Sequence, residues 1–200
     1  MGAKAKGGNF ERTVATSLSL WWSKGDRDDI FWRTHGSGGR STMRGKQNKR
    51  TEGQYGDISA TDISGKLLIK NWCIECKTGY SSSRKNEVLT KDGQKKSVKQ
   101  ITNWCVLDAI DSKQNVSVIE ALWKQTYDQA IEAGNQPILI FQRPRMSPCI
   151  VFNLRYFNFL SKTFDIPDKH WIVLRGHSSI VIMSLNDFFN WIPDIRKAFK

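Results

Sequence analysis

Two carboxylates and a lysine stand out in this sequence because their types and spacing suit phosphodiester chemistry. Asp57 follows a glycine at the start of one apolar segment, and Glu75 and Lys77 lie two residues apart at the end of the next. Alternate residues of a β-strand point to the same face, so Glu75 and Lys77 are expected to lie side by side. The sequence therefore predicts an acidic site with an ammonium group beside it.

Such a site suits a hard divalent cation, because Mg²⁺ prefers oxygen ligands. A cation held by Asp57 and Glu75 would bind and polarise a phosphate group and lower the pKa of a bound water. Lys77 would stabilise charge on the phosphoryl group or orient the attacking water. We therefore predict a Mg²⁺ cofactor, for which Mn²⁺ could substitute, and expect no covalent nucleophile.

The elements around these residues set a geometric condition on the site. Residues 57–77 read as a pair of strands with a turn at residues 64–65. A two-residue turn would pair Asp57 with Trp72, and directly paired residues share a face, so Asp57 would point away from Glu75. The site therefore requires a β-bulge or a longer connection between the two segments.

The remaining patterns predict an α/β fold with a central mixed sheet flanked by helices. We expect one domain over residues 9–200, with a core at about 9–155, a C-terminal elaboration at about 156–200, and a flexible basic arm at 1–8. Helices are predicted at 9–23, 104–110, 118–133 and 185–199, and further strands at 30–34, 137–143, 150–154, 171–174 and 179–184.

Asp57 together with Glu75, Cys76 and Lys77 resembles the signature of the PD-(D/E)XK nucleases, with Gly56 in the place of the signature proline. The resemblance implies a restriction-endonuclease-like fold, and the pattern beyond about residue 155 predicts extra C-terminal strands and a helix that have no counterpart in the family. It also implies that Cys76 contributes only its backbone carbonyl to the metal. Without the signature, Glu75 and Lys77 would be read as a surface ion pair and Asp57 as a polar residue at a strand start.

The order of further residues is similar to that of archaeal-type Holliday junction resolvases. Glu11 lies on the N-terminal helix, and Arg33 and Ser37 lie in the segment RTHGSGG that precedes the aspartate. The resemblance implies that Glu11 joins the metal or its water shell, that Ser37 contacts a phosphate, and that Arg33 binds DNA. The alternatives are an exposed first-turn glutamate at position 11 and an ordinary turn residue at position 37.

The charge of the chain indicates a polyanionic partner. Lysine and arginine number 31 against 19 acidic residues, which gives a net charge of +12 and a pI near 9.7. Much of the excess lies in two polar segments, 35–56 and 78–100, which we predict to be a long loop and a mobile segment that bind DNA phosphates. Their candidate DNA-binding residues are Arg40, Arg44, Lys46, Lys49, Arg50, Arg84, Lys85, Lys95 and Lys96.

Neither basic segment carries a base-reading motif, which favours recognition of DNA shape. The resemblance to junction resolvases implies metal-dependent, structure-selective cleavage of four-way DNA junctions. Symmetric nicking of two strands needs a twofold pair, so a homodimer is expected. The alternatives are a restriction- or repair-type nuclease acting on duplex DNA and a non-catalytic DNA-binding protein. No apolar run approaches the ~20 residues of a membrane span, so we expect no membrane association and a cytoplasmic location, in a prokaryotic cell or a phage-infected host.

Overall fold

The computed structural model describes residues 3–34, 55–79, 83–89, 95–101, 118–174 and 179–199. Its centre is a five-stranded mixed sheet with the strand order β3-β6-β7-β9-β8, in which β3 and β6 are parallel and the other neighbours are antiparallel. These strands are β3 (Trp72–Thr78), β6 (Gln136–Gln142), β7 (Cys149–Asn153), β8 (Trp171–Val173) and β9 (Ile180–Ser184).

Smaller elements lie around this sheet. A two-stranded ribbon is formed by β1 (Phe31–Arg33) and β2 (Ile58–Ala60), and an antiparallel hairpin by β4 (Ser83–Leu89) and β5 (Lys95–Ile101). The α-helices are α1 (Ala3–Ser23), α2 (Lys66–Asn71), α3 (Val118–Ala133), α4 (Leu154–Leu160) and α5 (Leu185–Trp191), and 3-10 turns lie at Ile63–Gly65 and Ile195–Lys197. The predicted mixed sheet flanked by helices is confirmed.

Alternation along the strands divides the apolar residues between two cores. Ile138 and Ile140 of β6 pack in the larger core with apolar residues of α1, α4 and α5. Leu139 and Phe141, which alternate with them, pack with Ile119 and other apolar residues of α3. The helices thus cover both faces of the sheet, which explains why β6 is apolar at nearly every position.

The connection between Asp57 and Glu75 differs from the predicted hairpin. Strand β2 pairs with β1 in the register Phe31 opposite Ala60, and the chain then passes through a 3-10 turn and α2 before β3 begins. The longer connection frees Asp57 from direct pairing with Trp72, so the geometric condition on the site is met. The 3-10 turn is locally supported, since Asp62 at its N-cap accepts hydrogen bonds from the backbone and hydroxyl of Ser64.

Three other elements differ from the sequence predictions. Helix α1 begins at Ala3, before the predicted start at residue 9; the flexibility of the arm at 1–8 stays a prediction. The segment 78–100, predicted to be mobile, contains β4 and most of β5. Helix α4 was missed, although Asn153 caps it by accepting a hydrogen bond from the Tyr156 N–H at 2.6 Å. The helix predicted at 104–110 lies outside the described residues.

The C-terminal elements mostly complete the larger core. The predicted final helix is confirmed as α5, which ends before Pro193 and is followed by a 3-10 turn. Phe188 is fully buried, whereas Trp171 on edge strand β8 is 65% exposed. Among the helices that the structure describes, none is long and apolar enough to cross a membrane. The division into a core and an elaboration stays a prediction.

Candidate active site

Asp57 is held against the edge of the sheet by two hydrogen bonds to β3. Its backbone N–H donates to the Ile74 carbonyl at 2.7 Å, and its Oδ2 accepts from the Cys76 N–H at 2.8 Å. The chain can approach this closely because Gly56 adopts φ +82° and has no Cβ. A Cβ there would lie 2.5 Å from the Ile74 carbonyl oxygen. The carboxylate is consequently fixed and is only 7% exposed.

Glu75 and Lys77 lie side by side on β3, and the shared face follows from strand alternation. Ile74 and Cys76 point into the larger core, which leaves the opposite face to Glu75 and Lys77. The Lys77 ammonium group donates a hydrogen bond to Glu75 Oε1 and forms an ion pair with it. Glu75 is only 4% exposed, so its negative charge is taken out of water next to Asp57.

Glu11 approaches the same site from α1. Its Oε2 forms an ion pair with Arg33 Nε at 3.1 Å, which ties the helix to the end of β1. Gly8, one helical turn before Glu11, leaves room for this guanidinium, since a Cβ at that position would lie 3.0 Å from Arg33 Nη1. The structure therefore brings together four predicted site residues, Glu11 with Asp57, Glu75 and Lys77, and places Arg33 at their border.

The carboxylates of the site perturb one another. Burial raises the pKa of Glu75 to about 7, with a further rise from the charge of Asp57, and the nearby Lys77 opposes the shift. Burial and the charge of Asp57 also raise the pKa of Glu11, while Arg33 and then Lys77 lower it. Crowded, buried carboxylates of this kind favour either a proton or a cation. Such perturbed groups cluster at functional sites.

The donor chemistry of these residues fits a hard divalent cation. Asp57 and Glu75 offer carboxylate oxygens, and the Cys76 carbonyl is the predicted backbone ligand. Across the described residues, no group of three or more His, Cys, Asp and Glu side chains could hold an ion. A cation between Asp57 and Glu75 would complete its shell with water, as Mg²⁺ commonly does. Its positive charge would relieve the repulsion that raises the pKa of Glu75.

Other predicted residues lie outside what the structure describes. Ser37, Arg40, Arg44, Lys46, Lys49 and Arg50 all fall in the stretch 35–54. The backbone of the other four, Arg84, Lys85, Lys95 and Lys96, is described as part of the hairpin β4-β5. Its register pairs Arg84 with Gln100, Lys85 with Lys99, Val88 with Lys96 and Leu89 with Lys95. The roles of these residues in DNA binding stay predictions.

Sequence reasoning missed three positions that shape the site. Thr34 donates its backbone N–H to the Asp57 carbonyl at 2.8 Å, and Gly56 and Gly8 allow the close approaches described above. Gly56 could have been recognised, because a glycine immediately before a predicted catalytic aspartate signals a close backbone contact. Thr34 and Gly8 gave no such signal, since their neighbours come from distant segments.

Comparison with known proteins identifies the family. The family model described as "Phage putative PDDEXK endonuclease" matches residues 2–113, which is more than half of the 200-residue chain. The match spans α1, the β1-β2 ribbon and β3, and so includes Glu11, Asp57, Glu75 and Lys77. No curated protein and no solved structure matches the chain. The mixed sheet flanked by helices is consistent with a restriction-endonuclease-like fold, and the chain belongs to this family of phage PD-(D/E)XK endonucleases.

Proposed function

We propose that this nuclease is a metal-dependent endodeoxyribonuclease in which Asp57, Glu75 and Lys77 form the catalytic centre. The observation that carries the proposal is the pair of buried carboxylates at the edge of β3 with an ammonium group beside them. A purely structural ion pair would not require a second buried carboxylate, because adding a like charge raises the free energy of the folded protein. A site that gathers negative charge at this cost suits cation binding.

Each of these residues is proposed to have a separate role in hydrolysis. Bound Mg²⁺, or Mn²⁺ in its place, would supply Lewis-acid chemistry and a water of lowered pKa. Asp57 and Glu75 would hold the cation, with the Cys76 carbonyl as a further ligand. Lys77, freed from Glu75, stabilises negative charge on the phosphoryl group. Glu11 acts at the water shell, and Arg33 binds a DNA phosphate next to it.

We propose branched DNA, in particular a four-way junction, as the substrate. The support is the chain order of Glu11, Arg33, Asp57, Glu75 and Lys77, which is similar to that of archaeal-type junction resolvases. The pairing of Glu11 with Arg33 beside Asp57 agrees with a helix-borne glutamate acting at the site. The net charge of +12 favours phosphate contacts, and the sequence offers no base-reading motif.

Cleavage of two strands at a junction further implies a homodimer with twofold symmetry. Two aromatic residues near the C-terminus, Phe188 and Trp171, differ in whether they could contribute to the dimer surface. Phe188 is excluded because it is fully buried in the larger core. Trp171 on edge strand β8 is exposed and stays a candidate, together with its apolar neighbours Ile172 and Leu174.

The test is cleavage of a labelled four-way junction, with matched linear duplex and single-stranded DNA, in Mg²⁺ or in chelator. Wild type is compared with Asp57→Asn and with the control Asp128→Asn, which removes the same charge from a site on α3 that is 57% exposed. We expect paired symmetric nicks in the junction alone, lost in chelator and in Asp57→Asn and kept in the control.

Other outcomes would favour one of the alternative functions or contradict the proposed site. Cleavage of linear duplex with the same dependence on metal and Asp57 would keep the site but indicate a restriction- or repair-type substrate. DNA binding without cleavage in any divalent metal would indicate a non-catalytic DNA-binding protein. Equal cleavage by wild type and Asp57→Asn would show that the proposed catalytic centre is wrong.

A further inference from the structure

Thr34 is the cross-strand neighbour of Asp57. Ribbon β1-β2 has Arg33 opposite Ile58, and the next pair along it, Thr34 and Asp57, is joined by the hydrogen bond from the Thr34 N–H to the Asp57 carbonyl. Directly opposed residues of an antiparallel pair put their side chains on the same face, with Cβ atoms about 4.5–5.5 Å apart. The side chain of Thr34 is therefore expected to lie next to that of Asp57, the proposed catalytic residue.

This hydroxyl is buried without a hydrogen-bond partner. Thr34 is only 4% exposed, and in the parts of the chain that the structure describes, its Oγ1 and Glu11 Oε2 are the buried side-chain polar atoms that lack one. Glu11 is at least compensated by its ion pair with Arg33. Burying a hydroxyl without a partner destabilises a fold, so an orphaned group in a native protein calls for a bound water, an ion or a catalytic role.

The burial of Thr34 indicates the size of the missing partner. Its Oγ1 has almost no accessible surface, so any partner reaches it only when neighbouring side chains move, and a phosphate group of DNA would require a large displacement. A water molecule requires the smallest displacement and can both donate to and accept from a hydroxyl. Mg²⁺ usually keeps several of its waters when it binds protein carboxylates. Water held next to Asp57 would thus be part of the cation's shell.

We propose that Thr34 is a positioning residue of this site, whose hydroxyl holds a water molecule of the hydrated cation beside Asp57. The inference rests on the proposed metal site and adds a residue to it. It explains why a hydroxyl without a hydrogen-bond partner among the described residues occupies a buried position. Groups that hold the water or the ligands around a metal typically change its affinity 10–100-fold when they are removed.

The test uses Thr34→Val, which keeps the branched shape and removes the hydroxyl, and Thr34→Ser, which keeps the hydroxyl. Mn²⁺ affinity is measured by electron paramagnetic resonance, and thermal unfolding and junction binding are measured in chelator. We expect Thr34→Val to bind Mn²⁺ about 10-fold more weakly, with an unfolding temperature equal to or above that of wild type and with unchanged junction binding. Thr34→Ser should bind Mn²⁺ like wild type.

Two results would overturn the inference. Wild-type Mn²⁺ affinity in Thr34→Val would show that the hydroxyl holds no part of the cation's shell. A lower unfolding temperature of Thr34→Val in chelator would show that the hydroxyl has a structural partner instead. Asp57→Asn, measured in parallel, separates this failure from that of the site: if Asp57→Asn binds Mn²⁺ like wild type, the proposed metal site itself is wrong, and the role of Thr34 with it.

Discussion

Replacement of Gly56 by alanine should damage both the fold and the active site. A Cβ at this position would lie 2.5 Å from the Ile74 carbonyl oxygen and 2.9 Å from the Ile74 nitrogen, whereas ordinary contact begins at 3.4 Å. The two backbone segments would have to part by about 0.9 Å. The positive φ of Gly56 adds about 1–2 kcal/mol of strain for any residue with a Cβ, and overpacking adds about 1–3 kcal/mol. We expect a loss of about 2–5 kcal/mol in the free energy of unfolding.

The displacement acts directly on the Asp57 carboxylate, which is proposed to be catalytic. Both hydrogen bonds that fix Asp57, from its own N–H to Ile74 and from the Cys76 N–H to its Oδ2, cross the gap that the new methyl group would widen. A misplacement of about 1 Å in a catalytic group can lower the rate about 10²-fold. We therefore expect Gly56→Ala to cleave DNA about 100-fold more slowly even under conditions where it is fully folded.

Urea denaturation and single-turnover cleavage measure these two effects. Gly134→Ala is the matched control, because Gly134 also has a positive φ, +71°, but has nothing within 4 Å of its Cβ position and lies after α3. The control should lose only the 1–2 kcal/mol of backbone strain and should cleave normally. If Gly56→Ala loses no more stability than Gly134→Ala and cleaves at the wild-type rate, the close approach to Ile74 does not position Asp57.

Three further predictions follow from buried polar groups and close contacts. Burial raises the pKa of Glu75 to about 7, so its contribution to the stability of the metal-free protein should be full below pH 4.5 and lost as the pH rises through 7. Glu75→Gln should remove this decrease in stability, measured as the unfolding temperature at pH 5 and pH 8, and should abolish cleavage. Gly8→Ala should stabilise α1 by up to about 1 kcal/mol, so the unfolding temperature should rise. The new Cβ would lie 3.0 Å from Arg33 Nη1 and displace this side chain, so the rate of cleavage should fall. Tyr156→Phe leaves the buried Trp72 Nε1–H without the hydroxyl that it now contacts at 2.7 Å, and urea denaturation should show a loss of about 1–3 kcal/mol with cleavage by the folded protein unchanged.

The shared face of Glu75 and Lys77 could be predicted because it depends only on local geometry. Any β-strand places residues two apart on one side, and the apolar Ile74 and Cys76 identify the other side as the core. Helix α3 and strand β6 were equally readable, since their apolar periods match a helix and a buried strand. Local pattern alone was therefore enough for these elements.

The connection from Asp57 to β3 could not be predicted in the same way. Residues 67–71 read as the start of a strand, because the apolar Leu67, Leu68 and Ile69 lead into β3. In the structure residues 66–71 form α2, and β2 pairs with β1 instead. Tertiary pairing overrode local preference here, which is common for short apolar runs.

The sequence by itself determined which chemical groups this protein offers: two carboxylates, the ammonium group of Lys77 and a strongly basic chain. It also identified the strand that carries Glu75 with Lys77. Only the tertiary structure decided how far these groups are buried, which raises the pKa of Glu75, and which distant residues surround Asp57. The contacts of Thr34, Gly56 and Gly8 join segments from α1, β1 and β3. Such contacts depend on the packing of elements far apart in the chain, and residue type and spacing do not encode that packing locally.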